Sequence, residues 1–110
     1  MRFFLLLFSA YSISSLVSLA LPKYNFDVKP ILSDRCYHCH GPDKETRKAK
    51  LRLDTEEGIK KALEGGELIA RITSDDPDEV MPPPESKLSV DSDEIETLRQ
   101  WIDAGGNVDS

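Results

Sequence analysis

From Phe3 to Leu19 the chain is apolar or small, with no acid or base, and no comparable run recurs after Pro22. Arg2 supplies a positive charge ahead of the run. Ser18-Leu19-Ala20 places small residues where a signal peptidase would cut. The pattern predicts an export signal over residues 1–20, removed near Ala20, and a single domain over residues 21–110. The run is also about long enough to span a bilayer, so an uncleaved anchor is the alternative. Its serines and small-residue ending favour cleavage.

Beyond Pro22 the apolar positions recur at helical spacing, in three or four short segments and no convincing strand, so the domain reads as all-α. A first helix is expected over about Asp27 to Cys36. Asn25 or Asp27 would cap it, Pro30 would sit in its first turn, and Phe26, Ile31 and Leu32 would provide apolar contacts. Asp54 or Thr55 starts a short helix through about Leu63, and Gly65-Gly66 ends it. A further turn or two is expected over Glu67 to Ile72. The prolines at 77, 82, 83 and 84 exclude regular helix from the next stretch. The last helix has the fullest signature. Asp91 and Glu94 make a capping box; Ile95, Leu98 and Ile102 share a face with Trp101 beside them; Gly105-Gly106 supplies the stop.

Charge narrows the class. The chain has 14 basic and 20 acidic residues, and residues 1–20 contain one charge, Arg2, so the domain itself carries 13 against 20, a net −7. Such a surface is a poor match for nucleic acid. Basic residues cluster between Lys44 and Arg52, and acidic ones between Asp75 and Glu96. The plain reading is a solvated surface; the sharper one is a dipole that orients partners on approach. Apolar positions are few for a domain this small, which calls for a staple or a buried prosthetic group.

Residues 36–40, Cys-Tyr-His-Cys-His, match the C-x-x-C-H pattern of c-type haem attachment. Two intervening residues let one turn of backbone straddle a porphyrin edge, so Cys36 and Cys39 can bond its two vinyl groups. His40 then lies under the iron as the proximal ligand. Apart from Met1 the chain has one methionine, Met81, and His38 sits on the same side as His40, so elimination leaves Met81 as the distal ligand. The prolines after Met81 would hold its loop at low entropic cost. A histidine–methionine pair raises the reduction potential and suits electron transfer rather than catalysis.

Other readings compete. The two cysteines could form a local disulfide. A thioredoxin-like pair wants a βαβ context that is missing here. A zinc site would have to wrap Cys36, His38, Cys39 and His40 around one ion from a single short loop. A haem-based sensor or small-ligand binder would need Met81 to be displaceable. Arg52 and Arg71 are candidate contacts for the haem propionates, or else solvated charges. Trp101 is a core aromatic or a cofactor contact, and Tyr37 and His38, at the variable positions of the motif, are expected to be exposed.

Several pieces together resemble the planctomycete-type cytochrome c domain found near the N-terminus of larger secreted proteins. They are Lys29-Pro30-Ile31-Leu32, Cys36 to Pro42, Leu51 to Thr55, Arg71 to Asp76, Met81 to Pro84 and Leu98 to Gly105. The resemblance runs from about Phe26 to Gly106. It implies the small class I cytochrome c fold, with three to four helices around one covalent haem c. It implies Cys36 and Cys39 as attachment sites and His40 and Met81 as axial ligands. The N-terminal segment leads to an expected place in the periplasm or cell envelope, with membrane contact only if it is uncleaved, and the electron-transfer reading to a transient redox partner. Such domains are often modules of larger exported proteins.

Overall fold

Proline and glycine positions largely decide where helices begin and end. The computed structural model describes residues 21–109, so the export signal expected over residues 1–20 lies outside them. Helix α1 spans Lys29–Arg35, with Pro30 in its first turn, where the missing N–H costs no bond. It begins later than expected and has no side-chain cap. The Asp27 carboxylate instead accepts the Lys23 N–H at 2.7 Å, closing a wide π-type turn over Tyr24–Val28. That turn buries Tyr24 and Val28, four residues apart, and leaves Phe26 78% exposed. The expected apolar contact from Phe26 is therefore not made.

After Cys36 the chain makes one helical turn, α2 (Tyr37–His40). Helix α3 (Glu56–Leu63) starts at Thr55, whose hydroxyl accepts the Gly58 N–H at 3.0 Å. Gly58 lies so close to the preceding loop that a Cβ there would overlap the Arg52 carbonyl. Gly65 and Gly66, at φ 65° and 72°, reverse the chain into α4 (Glu67–Ile72). Only glycine occupies this left-handed region without penalty. A single 3₁₀ turn, Pro84–Ser86, interrupts the proline-rich stretch. Helix α5 (Ser92–Asp103) carries the expected capping box: Asp91 accepts the Glu94 N–H at 2.8 Å and Glu94 accepts the Asp91 N–H at 3.0 Å. Each such cap is worth about 1 kcal/mol. Among the described residues there are four helices of six residues or more, the single turn α2 and no strand, an all-α arrangement.

Helix α5 packs on the Tyr24–Val28 turn and on α4. The Tyr24 and Trp101 rings lie 5.8 Å apart at 37°, and Val28, Leu32 and Leu98 fill the space around them. Leu32 and Leu98 are each 1% exposed, and burying a leucine contributes about 2 kcal/mol. The Trp101 indole N–H donates to the Asn107 carbonyl at 2.8 Å, so its one polar atom is satisfied. Arg35 and Glu94 face each other at 3.6 Å and link α1 to α5. On the outer side of Trp101, Leu21, Lys23, Asn107 and Asp109 border one surface depression.

Candidate functional site

The C-x-x-C-H segment sits on the α1–α2 break. The Cys36 carbonyl accepts the N–H groups of Cys39 (3.2 Å) and His40 (2.8 Å), so a single helical turn presents both thiols and the imidazole together. Loop 41–53 then wraps this turn. The Lys48 N–H donates to the Cys39 carbonyl and the Leu53 N–H to the His40 carbonyl, each at 2.6 Å. Arg47 braces the loop by donating to the carbonyls of Gly41 and Pro42, at 2.9 and 3.0 Å. Ala49 and Lys50 both adopt left-handed backbone, at φ 55° and 56°. Each costs about 1–2 kcal/mol for a residue with a Cβ. The bend they make leaves the Lys48 carbonyl 3.2 Å from His40 Nδ1.

A carbonyl only accepts, so Nδ1 of His40 is the donor in this contact. Burial lowers the His40 pKa, against the opposing effect of its bonds to the Lys48 and Leu51 carbonyls, and so favours the neutral imidazole. Burial also pushes the Cys36 thiol up to about 11, helped by the Glu94 carboxylate and opposed by Arg35. Among the described residues both cysteines are unpaired, and no three His, Cys, Asp or Glu side chains are grouped to hold a metal ion, which disfavours the zinc reading.

These groups open onto one cavity of about 390 Å³. Cys36, Cys39, His40 and Met81 all line it, and Leu51, Leu53, Leu68, Ile72, Pro82 and Leu88 make its wall largely apolar. The segment carrying Met81 is fixed by the Met81 N–H, which donates to the Arg71 carbonyl at 3.0 Å. The four residues expected to hold a haem thus come together although forty-five positions separate the first from the last.

The secondary candidates divide. Arg71 borders the cavity. Arg52 does not; its guanidinium makes two bonds to the Asp54 carboxylate, at 3.0 and 2.6 Å. Trp101 belongs to the apolar cluster and is absent from the cavity wall. His38 is exposed as expected, but Tyr37 is half-buried. The Tyr37 hydroxyl is pushed well above its ordinary pKa by burial and by Tyr24 beside it. Arg35 and Glu67 also border the cavity, and sequence reasoning missed both. Their only signal was helical register: Arg35 precedes Cys36, and Glu67 lies one turn before Arg71.

Residues 36–85, from the first cysteine through the proline run, match the family model described as planctomycete cytochrome C. Over that stretch the chain is similar to the planctomycete cytochrome C family. No curated protein and no solved structure matches the chain. That similarity points to a covalently bound haem c and to electron transfer. The residues fit that group: two thiols, an imidazole and a thioether share one apolar cavity. No helix among the described residues is long and apolar enough to cross a membrane.

Proposed function

We propose that this cytochrome domain moves single electrons on one covalent haem c with His40 and Met81 as axial ligands. The observation that carries the reading is the convergence of Cys36, Cys39, His40 and Met81 on a single cavity. The bound group supplies one-electron ferric–ferrous chemistry. Cys36 and Cys39 would hold the porphyrin through thioether links. His40 would ligate the iron through Nε2, its ring held by the Lys48 carbonyl, as second-shell partners commonly orient ligating histidines. Met81 would fill the opposite position and keep substrates from the iron. The apolar wall excludes water, which with the thioether favours the ferrous state and a raised potential.

Of the two arginines considered for the propionates, Arg71 borders the cavity and Arg52 does not. The apolar stretch in residues 1–20 supports export to the periplasm or cell envelope, where a transient redox protein would be the partner. The domain would serve as a module of a larger exported protein.

The test is expression in a host with haem-attachment machinery, followed by acid–acetone extraction and reduced-minus-oxidised spectra. The haem should stay with the chain, and Met81→Ala should keep the haem while losing the low-spin state and lowering the potential. Extraction of all haem from the wild type would overturn the attachment. An unchanged spectrum and potential in Met81→Ala would overturn the ligand assignment. Rapid carbon monoxide binding by the reduced wild type would favour a sensor instead.

A further inference from the structure

Beyond the bonds of Thr73 and Ser74 that close the end of α4, the loop that carries Met81 is tied to this helix at two points, and both involve Arg71. The Met81 N–H donates to the Arg71 backbone carbonyl at 3.0 Å. Two residues earlier, the Glu79 carbonyl accepts from Arg71 Nη1 at 3.5 Å. Arg71 Nε in turn donates to the Glu67 carboxylate at 3.0 Å, an i,i+4 pair along α4. The guanidinium therefore stands between a helix carboxylate and a loop carbonyl, and Glu67, Arg71 and Met81 all border the cavity.

The rest of the loop offers little grip. The bonds from the Asp78, Glu79 and Val80 N–H groups all go to Asp76, so they are local turns. Pro82, Pro83 and Pro84 have no N–H. The Met81 amide is therefore the last backbone donor the segment has before Glu85. The Arg71 contacts are therefore what hold this stretch to α4.

We propose that Arg71, oriented by Glu67, is a positioning residue that latches the Met81 loop onto α4 and so sets how often the thioether leaves the iron. The inference rests on His40–Met81 ligation. A small iron ligand enters only while the loop is open, so the latch governs access to the metal and acts through Met81, without touching the iron itself.

Imidazole binding to the ferric haem protein, followed by stopped-flow absorbance, tests this. In the wild type the observed rate should level off at high imidazole, and the plateau is the rate of loop opening. Arg71→Ala keeps the backbone bond to Met81 but removes the side-chain tie, and it should raise the plateau about tenfold, as loss of one bond to a charged group does. Glu67→Gln, which retains the guanidinium, should raise it about threefold and serves equally if Arg71→Ala does not fold. The Met81 amide should lose hydrogen-exchange protection in the same order. Plateaus within twofold of wild type in both variants would overturn the latch. So would a shift of potential in Arg71→Ala with an unchanged plateau, which would mark a propionate contact instead. Met81→Ala separates the two levels: its rate should rise linearly with imidazole. A wild-type plateau in Met81→Ala would sink the ligation reading rather than the latch alone.

Discussion

Replacing Gly58 with alanine sets two physical effects against each other. Gly58 lies inside α3, where intrinsic propensity favours alanine by about 1 kcal/mol. The surroundings demand the opposite. A Cβ at Gly58 would overlap the Arg52 carbonyl oxygen and lie 2.7 Å from its carbon and 2.9 Å from Thr55 Oγ1. The first two neighbours are backbone and cannot turn aside as a side chain would, so residues 52–55 must lift away from α3. Lifting them weakens the Thr55 cap, worth about 1 kcal/mol. It also strains the seat of Leu53, which is 2% exposed and lines the cavity. Overpacking of this kind costs about 1–3 kcal/mol. After the propensity gain is subtracted, Gly58→Ala should destabilise the haem-loaded protein by about 2 kcal/mol. Urea unfolding followed by far-ultraviolet circular dichroism measures it, with Lys60→Ala, exposed on the same helix, as the reference. A Gly58→Ala protein as stable as wild type or more so would refute the close approach of α3 to residue 52.

Leu98→Ala should lose about 2–5 kcal/mol, because Leu98 is 1% exposed between α5 and the N-terminal turn; a loss under about 1 kcal/mol in the same urea assay would mean that this cluster is loosely packed. The bonds from Arg52 hold the Asp54 carboxyl below its usual range. A depressed folded-state pKa stabilises the fold above the unfolded-state value, near 3.9, and that contribution disappears as pH falls through the folded-state value. Wild type should therefore exceed Asp54→Asn in urea midpoint at pH 7, with the gap closing below about pH 4. Parallel acid profiles would show that the pair contributes nothing.

Local chemistry carried much of the fold into view. The Asp91–Glu94 box, the Thr55 cap and the Gly65-Gly66 reversal each depend on residues within four positions of one another, and all appear as expected. The first helix did not follow suit. Asp27 can serve a cap or an Asx-type bond with equal chemistry, and the choice of Lys23 as partner depended on Tyr24 and Val28 finding Trp101 and Leu98 far along the chain. That register turned Phe26 outward. At the site, side chains with distinctive chemistry were legible, because thiols, imidazole and thioether are rare in this sequence. The support for His40 was not: it is a backbone carbonyl, which every residue possesses, aimed by two left-handed residues, Ala49 and Lys50, whose types give no hint of that backbone. Arg52 shows a related limit. A guanidinium two positions from a carboxylate had a partner at hand, and no local pattern could tell whether it would take that partner or a more distant one.

Leu21 and Asp109 border the same depression beside Trp101, and that depression has no lining residue in common with the cavity at Cys36, Cys39, His40 and Met81. The first and last described residues therefore lie at one corner, apart from the cavity. Surface at that corner is surface that the cavity does not use. A contact made at that corner would leave every residue lining the cavity uncovered.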